Sequence, residues 1–385
     1  MPEPFKISVP DTEIRDLKRR LAQTRWPSEV SDSGWQYGSN LAYMKELCDY
    51  WRSSYDWKVQ ETYLNRMPQF TTQVSADGVE DYTVHYVHQE GVGDNPLPLV
   101  FTHGWPGTFY EVSKIIGPLT DPAAHGGDPA DAFTVVAPSI PGYGFSQIPT
   151  SGGFGQKRTA LLWGALMDQL GYEKYGAQGG DWGAIVTAQV AYQHPDNCIG
   201  AQINMPIGRP PTDKPQEEWT DEEKAVGAQA AHWQAQETGY QAIQGTKPQT
   251  LSYGLTDSPA GLAAWITEKW RSWSDCDGDI EKRFTKDEIL TNISIYWFGQ
   301  TINSSTRYYY EMRQNQQENF LPGRLETPTG FSIFPKEIIT APRSWCEPGY
   351  NIQQWSVHDK GGHFAALEEP GLLVQDIRDF FRPLR

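Results

Sequence analysis

The stretch AQGGDWGAI, residues 177 to 185, decides how the rest of the 385-residue chain is read. A short strand, YGAQ at 175 to 178, runs straight into helix-compatible residues, and glycines at 179, 180 and 183 surround one acidic residue, Asp181. So sharp a strand-to-helix turn forces its central residue into a strained backbone conformation, requires small residues two positions to either side, and lifts the central side chain above the sheet. Gly179 and Gly183 meet that requirement. The usual nucleophile elbow is G-x-S-x-G; no serine has that spacing in this chain, and a carboxylate stands there instead. A second reading of the same residues is structural: Asp is a favoured N-cap, and its charge suits the positive end of a helix.

Outward from the elbow, the hydrophobic pattern describes a parallel sheet. FTVVAP (133–138) reads as a buried strand, KRTALLWGALMDQLG (157–171) as an amphipathic helix, and CIGAQIN (198–204) as a further strand. Strand, helix, strand implies parallel pairing through crossovers. Upstream, DYTVHYVH (81–88) alternates as an edge strand would, and the turn GVGDNPLP leads to the buried run LVF. Downstream, GRPPTDKPQ breaks the pattern, and helix starts are signalled by Thr220 with Glu223, Ser258 with Pro259, and Thr285 with Glu288. Strand character returns at GFSIFP (330–335) and NIQQWSV (351–357), before a closing helix, PGLLVQDIRDFF (370–381). The first 94 residues open with Asp11 placed as an N-cap and Ile14, Leu17 and Leu21 on one helical face, then run through Trp51, Tyr55 and Trp57. The expected organisation is an N-terminal meander over 1–94, an α/β core over 95–206, a helical lid over 207–325, and the C-terminal part of the core over 326–385.

Composition removes several classes of function. With 32 basic and 48 acidic residues the net charge is −16, which repels phosphate backbones and anionic lipid, so neither nucleic acid nor membrane is expected as a partner. Cys48, Cys198, Cys276 and Cys346 are too widely spaced for a zinc knuckle or a C-x-x-C pair, and read as buried thiols. Neither a leader nor a run of 18 apolar residues is visible, and a cytoplasmic location is the expectation. The sequons at Asn292 and Asn303 are assigned no role. SDCDGDIEK (274–282) imitates a calcium loop but fails on register: with Asp275 in position one, the required glycine is Ile280 and the required glutamate is Lys286. It reads as a solvated turn, and no metal or other cofactor is expected.

The order of three loops favours the nucleophile reading of Asp181. HGWPG (103–107) ends a strand before the elbow, and GGHFAALEEP (361–370) lies near the C-terminus, matching the nucleophile, acid, base order of α/β-hydrolases. Among eight histidines, His363 occupies a Gly-Gly loop just before an apolar helix start, where that fold places its base. His358 reads as a strand-end residue, and His103 as a hydrogen-bonding member of its turn. The backbone N–H groups of Trp105 and Trp182 are the candidate oxyanion donors, and Pro106 is a candidate cis-proline.

HGWPG, GYGFS (142–146), GGDWG (179–183) and GGHFAALEEP together resemble the epoxide hydrolase branch of the α/β-hydrolases, over nearly the whole chain. RWPSE (25–29), YDWKVQE (55–61) and LNRMPQF (64–70) resemble the extra N-terminal region of the microsomal and juvenile-hormone epoxide hydrolases, without the membrane anchor of those relatives, which implies a soluble enzyme. The resemblance implies an α/β-hydrolase fold: a mostly parallel central sheet with helices on both faces, an inserted helical lid and an N-terminal meander. It also implies that Tyr240, in ETGYQAIQGTKP, and Tyr309, in SSTRYYYE, donate to the substrate oxygen; spacing to Glu311 selects Tyr309 over Tyr308 and Tyr310. The acid that orients His363 falls on Glu337, in GFSIFPKEI, because the rival position after CIGAQIN holds the uncharged Asn204. The implied reaction converts a small hydrophobic epoxide and water to a vicinal diol through an ester on Asp181. Two alternatives stand beside it: a haloalkane dehalogenase using the same aspartate, suggested by Trp182, and an inactive relative that binds a ligand in an aromatic pocket. The tyrosines and the N-terminal region weigh against the former, the filled catalytic positions against the latter. The oligomeric state is left open, a homodimer included.

Overall fold

In the computed structural model, which describes residues 2–212 and 214–385, FTVVAP is buried at every position and forms a strand flanked on both sides. Among the described residues nine strands make one sheet: β1 (Glu3–Phe5), β2 (Gln69–Ala76), β3 (Val79–Gln89), β4 (Leu97–Thr102), β5 (Phe133–Pro138), β6 (Tyr175–Gly179), β7 (Cys198–Ile203), β8 (Leu325–Ile333) and β9 (Tyr350–Val357). Their order is β1-β2-β3-β5-β4-β6-β7-β8-β9. From β5 to β9 every pairing is parallel; Val100 of β4, for example, lies between Val136 of β5 and Ala177 of β6. β1, β2 and β3 add an antiparallel flank.

Helices Gln156–Gln169 and Trp182–Gln193 pack on each other and on the sheet as the crossovers of the parallel strands. The closing helix, Pro370–Phe381, meets the sheet where glycines leave room. Phe381 fills the space beside Gly176 of β6, and Phe380 that beside Gly200 of β7 and Gly330 of β8. Between β7 and β8 lies a block of helices: Asp221–Gln236, Gly239–Gln244, Pro248–Asp257, Pro259–Trp273, Lys286–Gly299 and Ile302–Gln314. Thr220/Glu223 and Thr285/Glu288 form complete capping boxes, and the Ser258 hydroxyl accepts from the Gly261 N–H.

The N-terminal helices Asp11–Ala22, Leu41–Ser53 and Trp57–Leu64 fasten onto that block. Tyr50 donates to Asp287 at 2.9 Å, the Tyr55 and Thr291 hydroxyls stand 3.2 Å apart, Arg20 pairs with Asp257 at 2.7 Å, and Trp57 packs on Phe298 at 4.9 Å.

Three sequence expectations are corrected. DYTVHYVH is an interior strand, with β2 and β5 on either side; Tyr82, Val84 and Tyr86 are buried, and His85 and Val87, on the opposite parity, are buried too. Its partner QFTTQVSA has too weak an alternation to be recognised as β2. Asp11 lies in the first helical turn, because Pro10 is the cap residue whose carbonyl accepts from Glu13 and Ile14. Within SDCDGDIEK, Asp277 and Asp279 are exposed, but Asp275 is not merely solvated: its carboxylate pairs with Arg283 at 2.8 Å and accepts the Gly361 N–H at 2.9 Å.

Candidate active site

Asp181 stands between the end of β6 and helix Trp182–Gln193 with φ 51° and ψ −127°, a conformation that costs a non-glycine residue about 1–3 kcal/mol. The flanking glycines are there because backbone closes in on them. A methyl group on Gly179 would lie 2.5 Å from the Gly183 carbonyl oxygen, and one on Gly183 would collide with the Thr102 carbonyl. The two carboxylate oxygens of Asp181 have different neighbours. Oδ1 accepts the Trp105 N–H at 2.7 Å, and Oδ2 is 3.4 Å from His363 Nε2. The Trp105–Pro106 bond is cis. Of the two candidate oxyanion donors, Trp105 reaches the carboxylate and Trp182 makes no hydrogen bond to it among the described contacts.

His363 Nδ1 is 2.5 Å from Glu337 Oε1, which also accepts the Ile338 N–H at 2.6 Å. The ring packs edge-on to Trp273, and the His363 N–H donates to the Trp273 carbonyl at 2.9 Å. Burial disfavours the imidazolium, but the Glu337 charge, hydrogen bonds to Asp181 and Glu337, and the Asp181 charge outweigh it, so His363 is held well above the ordinary imidazole value. At His85 and His103 burial dominates and pushes the imidazoles down to about 3 and about 4, the Gly104 backbone and the Asp181 charge opposing it only in part at His103. His103 accepts the Ile140 N–H at 3.3 Å, in keeping with its reading as a turn residue. His358 lies at the end of β9 against Asp376, at 2.6 Å.

Tyr240 and Tyr309 line a cavity of about 490 Å³ together with Asp181, Trp182 and an apolar wall of Ile185, Met205, Met312 and Phe320. Tyr240 stacks on Trp105 at 5.3 Å, and Tyr309 meets Trp182 edge-on at 4.5 Å. Burial and the Asp181 charge raise the Tyr240 phenol well above its usual value, and burial, the Tyr240 phenol and the Asp181 charge do the same for Tyr309, so both remain O–H donors. Tyr308 is occupied elsewhere, 2.7 Å from the Thr159 hydroxyl, and Tyr310 is partly exposed. Asn204 serves Gln178 at 2.9 Å. A larger hollow of about 760 Å³, lined by Asp16, Arg20 and Asp257, shares no residue with this site, and Arg20 there pairs with both aspartates.

Several residues at the site escape sequence reasoning, one of them, Gly104, inside the HGWPG motif itself. Gly104 lies against the carboxylate: a methyl group there would collide with Asp181. Asn292 donates to the Pro106 carbonyl at 2.8 Å and accepts from Thr108 at 3.0 Å, and Tyr296 donates to the Gly107 carbonyl at 2.8 Å, so helix Lys286–Gly299 holds the HGWPG turn. Asn292 is thereby fully buried, which closes its sequon in the folded chain. Lys269 is buried with its ammonium 4.9 Å from the Tyr240 ring and 2.7 Å from Glu268. Glu368 accepts the Phe364 N–H at 2.9 Å and the Asp275 N–H at 2.8 Å, joining the histidine loop to the turn after helix Pro259–Trp273.

Sheet order, elbow and the carboxylate–imidazole–carboxylate arrangement define an α/β-hydrolase, and a model of the "alpha/beta hydrolase fold" matches residues 98–255. A model described as "Epoxide hydrolase N terminus" matches residues 2–112. A protein of Stigmatella aurantiaca, named provisionally as an epoxide hydrolase, is 45% identical over 99% of this chain and 85% of its own length. Epoxide hydrolase 1 of Oryctolagus cuniculus is 38% identical over 98% of this chain and 88% of its own. The crystal structure of juvenile hormone epoxide hydrolase from the silkworm Bombyx mori superposes with a TM-score of 0.89 at 29% identity, covering 100% of this chain and 95% of that one. The chain belongs to the epoxide hydrolase family. Among the described residues no helix is long and apolar enough to cross a membrane.

Proposed function

We propose that the chain hydrolyses a small hydrophobic epoxide to a vicinal diol through an alkyl ester on Asp181, with the 207–325 helices as its lid. The observation that carries this reading is the division of labour at Asp181: one oxygen bound to a backbone N–H, the other facing the imidazole beneath two phenols.

In the first step Asp181 Oδ2 attacks a ring carbon and the carbon–oxygen bond of the epoxide breaks. Tyr240 and Tyr309 donate to the departing oxygen, and one of them gives it a proton. Ester formation removes the negative charge of Asp181, one of the two that hold the proton on His363. His363 then returns its proton to the phenolate and becomes a base. In the second step the now neutral His363, oriented by Glu337, takes a proton from water as the hydroxide adds to Asp181 Cγ. Charge develops on Oδ1, where the Trp105 N–H already points, with the Trp182 N–H as the second donor. When the Cγ–Oδ2 bond breaks, the leaving alkoxide takes the proton from His363, and the carboxylic acid left behind reprotonates His363.

The dehalogenase alternative is disfavoured by the two phenols at the cavity wall, because a departing halide requires N–H donors and no proton. A single turnover in heavy-oxygen water tests the reading. One label should enter Asp181 and none the diol; label in the diol alone would reject the ester. A panel of terminal, aryl and internal epoxides, with halide release measured alongside, sets the substrate class.

A further inference from the structure

We propose that Glu111 is a further catalytic group, one that holds the hydrolytic water for His363; this rests on the ester reading above. Directly after the HGWPG turn, residues Phe109–Lys114 form a single 3-10 turn whose Phe109, Tyr110 and Val112 are buried apolar side chains. Glu111 projects a carboxyl group from this turn back onto the loop it follows. A methyl group on Gly107 would collide with Glu111 Oε1, so the missing side chain of Gly107 is the berth of that carboxyl. The Gly104 N–H also points to Glu111, while the Cα of Gly104 abuts the Asp181 carboxylate. Two carboxyl groups thus share one glycine. The 3-10 turn also packs against Ala365–Glu368, a helical turn that begins two residues after His363.

Three properties suit Glu111 to water. Unlike Glu369 and Asp275, it has no lysine or arginine partner among the described residues. Protein surrounds it, yet its side chain retains accessible surface where Trp105, Gly107 and Tyr110 retain almost none, which leaves room beside the carboxyl group. A void lined by polar groups is where a buried water resides. Burial pushes the carboxyl up to about 8, with the His363 charge opposing and those of Asp181 and Glu337 adding; Tyr296 is the other titratable group beside it. A neutral carboxylic acid both donates and accepts, so it can bind the water hydrogen that His363 does not remove.

Styrene oxide is the probe, with ester formation and decay followed separately in the full-length protein. In Glu111→Ala the ester should accumulate: kcat falls about a hundredfold, the scale of general acid–base assistance, and KM falls with it, so kcat/KM changes much less. In Glu111→Gln, which keeps the acceptor and the shape, decay should stay within about tenfold of the parent, and the inflection of the decay rate near pH 8 should vanish. A parallel loss of kcat and kcat/KM would reduce Glu111 to a prop for the turn and overturn the proposal, as would unchanged decay in both variants. If the parent enzyme itself never forms the ester, the ester reading falls first and takes this proposal with it; normal ester in the parent with normal decay in the variants sinks this proposal alone.

Discussion

The backbone N–H of Trp105 and the carboxylate of Asp181 meet at 2.7 Å across 76 residues of sequence, and the contact engages Oδ1 only. The two oxygens therefore cannot exchange roles without breaking a charge-assisted hydrogen bond. Gly104 lets the two chain segments come this close. Gly104→Ala should fold, because that backbone position needs no left-handed conformation, but the methyl group displaces the carboxylate. A fall in kcat/KM of at least about a hundredfold is expected, comparable to the loss of one oxyanion donor. Activity near the parent level would mean that the carboxylate position is not critical.

Tyr240→Phe and Tyr309→Phe should each slow ester formation by roughly 10²–10³-fold, since each removes one donor to the opening ring. Tyr308→Phe is the matched control. Its hydroxyl is bound to Thr159, and its loss should cost about 0.5–1.5 kcal/mol of stability while leaving ester formation intact. Rapid-mixing measurements of the tryptophan signal, to which Trp182 should contribute, can separate these variants.

The raised value of His363 also predicts how stability responds to pH. The folded imidazole holds its proton more tightly than the unfolded one, so its stabilising contribution is complete below the unfolded value of 6.5. That contribution fades as the pH climbs toward the raised folded value, because unfolding then releases a proton. The stability advantage of the parent over His363→Ala should therefore be largest near pH 6 and shrink in alkaline buffer. Denaturant melts of both proteins at several pH values check the sign; an advantage that grew with pH would contradict the ion-pair description.

Asn292→Ala removes a donor and an acceptor from the HGWPG turn and leaves a buried carbonyl unpaired. The expected cost is about 1–3 kcal/mol of stability. A loss of kcat/KM should accompany it, because the Trp105 amide is no longer held in direction. If the melting temperature drops with no change in kcat/KM, the turn is held by its own backbone.

The parts of the molecule that declare themselves in the sequence are those whose physics is local. The elbow is visible because its tight turn crowds Gly179 against the Gly183 carbonyl within five residues, although what excludes a side chain at Gly183 is the distant Thr102 carbonyl. The helix starts at Thr220 and Thr285 are visible because a capping box is closed within four residues. FTVVAP is visible because a strand covered on both faces leaves no polar alternation. What stays hidden depends on distant partners. The buried flank of β3 requires β2, whose own pattern is weak, and the role of Asn292 exists only because its helix crosses a turn 186 residues earlier. Glu111 and Lys269 look like ordinary surface charges until the fold encloses them.

The attachment of the first three helices to the helical block between β7 and β8 reaches further than that block. Tyr50, Tyr55 and Trp57 grip the same helix, Lys286–Gly299, whose inner side carries Asn292 and Tyr296. An unbroken chain of contacts therefore runs from the N-terminal helices to the amide that binds the Asp181 carboxylate. Heating such a molecule should give one cooperative melt in place of a staged one, and amide-exchange protection at Trp105 should follow the integrity of a segment that never touches the substrate.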